Sequence, residues 1–113
     1  VGEEFKFAIT TLTSKTGTDV LVRYKNNSKA VEHNWVLVKA GTEGDVANKG
    51  TTAAATGWIP QGHPGIVANT KLLKAGETGD ARFTAPAVGK YKFICTFPGH
   101  FEGGMVGEFE VTP

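Results

Sequence analysis

The chain has 113 residues, 12 basic and 11 acidic, with 40% hydrophobic and 20% charged side chains. This balance argues against a disordered polyelectrolyte, and no basic run marks a nucleic-acid-binding arm. No apolar stretch approaches the roughly 18–20 residues needed to span a bilayer, and the single cysteine, Cys95, excludes an internal disulfide.

In EEFKFAITTL, residues 3–12, Phe5, Phe7 and Ile9 alternate with Glu4, Lys6 and Ala8. Period two predicts a strand with one apolar face. After a break over residues 14–18, TDVLVRYKN repeats the pattern. Val20, Val22 and Tyr24 face a core and Asp19, Arg23 and Lys25 face water, the strand ending near Asn26 and Asn27. HNWVLVKAG supplies a third strand from β-branched and aromatic residues, with His33 at its entrance and Trp35 as an anchor.

Residues 41–64 lack alternation and are rich in Gly, Ala and Thr, so a short helix or flap is expected there, with Ala53 to Ala55 as its seed. GIVANTKLLK and DARFTAP add two short strands bounded by turn residues. KYKFICTF and MVGEFEV are the clearest, placing Cys95 inward near a strand end and Phe109 and Val111 on one face. Six or seven short strands with Gly and Pro turns predict an all-β Greek-key β-sandwich.

The segment CTFPGHFEGGM carries Cys95, His100 and Met105 at five-residue steps. By itself it fits either a metal site or a structural cysteine, an exposed turn histidine and a core methionine. His33 strengthens the metal reading, because two imidazoles, one thiolate and a weak thioether form the ligand set of blue-copper electron-transfer sites. Asn34 is placed to bond the backbone around the cysteine loop. Pro98 restricts that loop, while Gly99, Gly103 and Gly104 give it latitude. His63, in IPQGHPG, is expected to be a surface or loop histidine outside this set.

HNWVLV at 33–38, NTKLLKAGET at 69–78 and YKFICTFPGHFEGGMVGEFEV at 91–111 together resemble the blue-copper cupredoxins. The motifs are similar to azurin and especially to the auracyanins of filamentous anoxygenic phototrophic bacteria. The resemblance covers nearly the whole chain. It implies one cupredoxin domain over 1–113, of about seven to eight strands, with His33, Cys95 and His100 as equatorial ligands of one copper ion and Met105 as the axial ligand. Four residues separate His100 from Met105, where azurin has three, and Glu32 replaces the glycine that azurin carries before its first ligand histidine. The longer interval is similar to that of auracyanin and of plastocyanin, and Glu32 argues against a fifth, main-chain oxygen ligand, so the resemblance implies a four-ligand, auracyanin-like site.

The resemblance further implies a monomeric electron carrier, not an enzyme, cycling between Cu(I) and Cu(II) with no small-molecule substrate. His100 would be the electron exit, within a collar of Phe97, Pro98 and Phe101. A membrane electron-transport complex would be the donor, and a cytochrome c or photosynthetic reaction centre the acceptor. The expected location is the periplasmic side, with membrane association through an N-terminal segment outside this sequence. The competing readings are a respiratory cupredoxin serving a terminal oxidase, a copper delivery protein and a zinc-binding structural module; structural zinc prefers four strong tetrahedral ligands and has little use for Met105.

Overall fold

In a computed structural model, residue 7 and residues 9–113 are described. Seven strands among them form two sheets. The larger has the order β1-β7-β6-β3-β4, built from β1 (Thr11–Lys15), β7 (Val106–Thr112), β6 (Gly89–Ile94), β3 (Val36–Lys39) and β4 (Ile66–Asn69). The smaller pairs β2 (Asp19–Lys25) antiparallel with β5 (Thr78–Thr84). All pairings in the larger sheet are antiparallel except β1 with β7. The expected all-β sandwich is therefore present. No helix among the described residues is long and apolar enough to cross a membrane.

Phe5 lies outside the described residues. Phe7 is buried as expected, and Ile9, which lines the same cavity beside Leu12 and Trp35, is nevertheless 64% exposed. The reason is local: residues 9 and 10 stand outside the ladder, so Ile9 sits at the open margin of the core. Strand pairing instead continues to Lys15, and the chain turns at Thr16 and Gly17, whose φ of 76° suits glycine.

The helix of the 41–64 region also sits earlier than its alanines suggested. It is α1 (Glu43–Gly50), while Ala54–Thr56 makes one 3-10 turn. Val46 and Ala47 decide this, because they pack with Val36, Val38, Ile59 and Ile94 on the outer face of the large sheet. Glu43 and Asp45 in the first turn and Lys49 in the last suit the helix dipole. The cover explains why Val36, Leu37 and Val38 are all fully buried despite alternation: β3 is apolar on both faces.

Between the sheets, Trp35 stacks on Phe93 with centroids 5.5 Å apart, and Leu37, Leu73, Ala81, Phe109 and Val111 close the core around them. Gly107 pairs opposite Phe93 and lies directly against its ring, so a Cβ there would stand 2.2 Å from Phe93 Cζ. Trp35 and Phe7 hold the ring from other sides, leaving it little room to retreat. Gly107→Ala is expected to lower unfolding free energy by about 2–3 kcal/mol, the upper part of the range of about 1–3 kcal/mol for overpacking a core. Urea unfolding checks this, and an unchanged midpoint would contradict the packing.

Candidate metal centre

The hairpin between β6 and β7 brings the first two site residues together by register. Ile94 pairs with Val106, and one step on the Cys95 N–H donates to the Met105 carbonyl at 3.4 Å. The intervening loop folds on itself: His100 N–H donates to Phe97 O and Met105 N–H to His100 O, each at 3.0 Å. Gly99 and Gly104 take φ of 86° and 106°, so side chains at these positions would strain the turn. Cys95, Met105 and His100 are all buried.

His33 arrives from the other side. It exchanges backbone hydrogen bonds with Leu73, its N–H donating at 3.1 Å and its carbonyl accepting at 2.8 Å. Behind this bridge Asn26 donates through Nδ2 to Leu73 O and Val31 O, and its Oδ1 accepts from the backbone N–H and hydroxyl of Ser28. Sequence reasoning saw Asn26 only as a strand terminus. It is a fully buried polar brace beneath a site residue, signalled by nothing more than the N-N-S turn pattern.

The outcome is convergence. His33 Nδ1 and His100 Nδ1 stand 3.1 Å apart, with Cys95 Sγ 3.4 Å from the second and 3.9 Å from the first. These three buried residues form a potential metal-ligating group among the described residues. Two imidazole nitrogens and a sulfur, with no carboxylate, match copper or zinc and not magnesium or calcium. Met105 is fully buried on the same hairpin. The donor set thus fits a copper ion, and the burial of His100 removes the exposed-turn alternative.

Asn34 fixes the cysteine turn more completely than expected. Its Nδ2 donates to Thr96 Oγ1 at 2.8 Å and to Gly57 O at 3.1 Å, while its Oδ1 accepts the Thr96 N–H at 2.8 Å. Its backbone N–H faces Cys95 Sγ at 3.4 Å. The Thr96 hydroxyl in turn donates to Trp58 O at 2.5 Å. Thr96, directly after the cysteine, was missed from sequence, although a hydroxyl beside a buried site residue was a usable signal.

His63 is not gathered into the site. It is a loop histidine, but its side chain is only 8% exposed because it fastens the loop to α1. The Gly65 N–H donates to its Nδ1 at 2.9 Å, which leaves the proton on Nε2 to donate to Asp45 Oδ2 at 2.6 Å. That bond, followed by Lys49, holds the Asp45 carboxyl below its ordinary range.

Burial pushes the Cys95 thiol up to about 11, against the weaker opposing pull of backbone N–H groups from Asn34 and Phe97. Burial, then the nearby His33, pushes His100 down to about 4. In metal-free protein the unfolded chain therefore binds a proton at His100 that the fold refuses, and stability should fall as pH drops from 6.5 toward 4. The unfolded chain releases the Cys95 proton more readily, so stability should also fall from pH 9 toward 11. Denaturant midpoints across this range test both limbs. A midpoint that rose on acidification below pH 6.5 would contradict the first.

The fold and this donor cluster define a copper-binding β-sandwich, and over residues 1–112 the chain matches the model of the copper binding proteins, plastocyanin/azurin family. It belongs to that family, and copper is its cofactor. Among relatives, it is 44% identical to auracyanin-A of Chloroflexus aurantiacus over 103 residues, covering 88% of this chain and 64% of that protein. It is also 44% identical to auracyanin-B of the same organism over 113 residues, covering 95% of this chain and 47% of that one. The chain thus spans about half to two thirds of the length of these relatives. The crystal structure of dithionite-reduced auracyanin from the photosynthetic bacterium Roseiflexus castenholzii superposes with a TM-score of 0.95 at 38% identity, covering 99% of this chain and 91% of that one.

Proposed function

We propose that the chain is a type 1 blue-copper electron carrier in which His33, Cys95 and His100 would hold the copper strongly and Met105 would hold it weakly. The observation that carries this is the buried convergence of one thiol sulfur and two imidazole nitrogens within 3.9 Å. Bound copper supplies a reversible one-electron couple between Cu(I) and Cu(II). Cys95 gives up its thiol proton when it becomes a ligand. Asn34 and Thr96 hold the cysteine turn, and the His33–Leu73 bridge fixes the backbone of His33, limiting how far the donors move when the charge changes.

His100 serves as the electron exit. Its ring is buried, but it hangs from a turn whose tip, Gly99, is exposed, with Phe97, Pro98 and Phe101 partly exposed around it. These side chains suit brief apolar contact with a partner. The auracyanin likeness favours transfer from a membrane electron-transport complex to a reaction-centre-bound cytochrome c on the periplasmic side, with an N-terminal segment of a longer protein providing membrane association.

Copper-loaded protein is expected to show an intense visible thiolate band and a narrow copper hyperfine splitting in its electron-spin spectrum, both bleached by ascorbate and restored by oxidation. Absence of both after metal analysis confirms loading would overturn the assignment and leave the zinc or copper-delivery readings. Stopped-flow kinetics against photosynthetic and respiratory membranes would separate the two candidate electron-transport roles.

A further inference from the structure

Trp58 is the one non-glycine residue with positive φ among the described residues, at 66°, and it follows Gly57 at 67°. A bulky aromatic in this region is strained, so its surroundings must hold it there. They do so from several directions. Its N–H donates to Ala53 O at 2.9 Å and its carbonyl accepts the Thr96 hydroxyl. Its ring meets Phe97 edge to face, with centroids 5.5 Å apart and planes at 66°.

Space for this arrangement comes from the end of α1. A Cβ on Gly50 would stand 2.8 Å from Trp58 O and 3.1 Å from Thr96 Cβ. Phe97 in turn lies on His100, with centroids 4.7 Å apart and planes at 33°. Trp58 therefore reaches two donors by separate routes: through Thr96 to the adjacent Cys95, and through Phe97 to His100. A glycine at position 58 would reach the same backbone conformation without strain, but would leave Phe97 unbraced on this side.

We propose that Trp58 is a positioning residue for the cysteine loop of the copper centre, its left-handed backbone aiming a carbonyl at Thr96 while its indole braces Phe97 against His100. This rests on the copper reading above, but it concerns order already present before metal binds. Removing the ring should loosen the loop specifically, leaving the β2–β5 pair unaffected.

Trp58→Gly relieves the strain and removes the ring, whereas Trp58→Phe keeps an aromatic edge. In metal-free protein, Trp58→Gly should raise amide exchange at Phe97 and His100 roughly threefold to tenfold over any change in β2 and β5, the effect of losing one aromatic pair. After copper loading, it should shift the visible band and hyperfine splitting, and Trp58→Phe should restore both toward the parent. If Trp58→Gly does not fold, Trp58→Asn, which also lacks the indole and tolerates the left-handed backbone, makes the comparison. Uniform exchange changes with an unaltered spectrum would mean ordinary packing and overturn the proposal. A parent that loads copper without a blue spectrum would overturn the site reading instead, and metal-free exchange would still decide the role of Trp58.

Discussion

Cys95→Ser should abolish the intense visible absorption of the copper-loaded protein even where some copper remains bound. The band requires a polarisable thiolate able to transfer charge to the metal, and a serine hydroxyl is a hard donor that does not ionise under the same conditions. The substitution is small, and the Asn34 N–H that faces the sulfur at 3.4 Å can meet an oxygen instead. The fold should therefore survive with a loss of about 1 kcal/mol, the centre of the range for point substitutions in general. Visible and electron-spin spectra of loaded protein, with far-ultraviolet circular dichroism as a folding control, make the test. An unaltered band in a folded Cys95→Ser protein would remove Cys95 from the ligand scheme, and His100 and Met105 would then have to be explained without it.

The second large effect belongs to a residue that is not a ligand. Asn34→Ala should destabilise the protein by about 3 kcal/mol, because buried hydrogen-bonding groups left without partners cost about 1–3 kcal/mol each. Asn34 is fully buried and uses both amide hydrogens and its oxygen, on Gly57 O, Thr96 Oγ1 and Thr96 N–H. Truncation orphans the Thr96 N–H at a residue that is itself only 1% exposed. For a domain of this size the loss corresponds to a fall in Tm on the order of 10 °C. Thermal and urea unfolding of metal-free protein measure it without contribution from copper. A loss below about 0.5 kcal/mol, the range of ordinary surface substitutions, would show that water replaces the amide and that the cysteine turn is held by other contacts.

Several features were readable because they depend on short spacing or simple periodicity. The alternation of KYKFICTF and MVGEFEV predicted β6 and β7, and the intervening segment placed Cys95, His100 and Met105 on one tight connection. HNW directed attention to both His33 and Asn34. The 41–64 region was less legible, because Ala53 to Ala55 have helix propensity but only Val46 and Ala47 have a sheet face to cover. Tertiary packing overrode local preference there. At the other end, Ile9 keeps to the side of Phe7 but stays exposed, because residues 9 and 10 lie outside the ladder at the margin of the core.

The sequence by itself determined the strand alternation, the donor chemistry and the lone thiol, since these reside in residue identity and near spacing. Only the tertiary structure decided that His33 meets His100 across 67 positions, that Asn26 braces the His33 bridge, and that Trp58 turns left-handed to reach Thr96. Long-range hydrogen bonds and the approach of two buried rings depend on how the sheets and α1 pack, and strand periodicity carries no information about those distances.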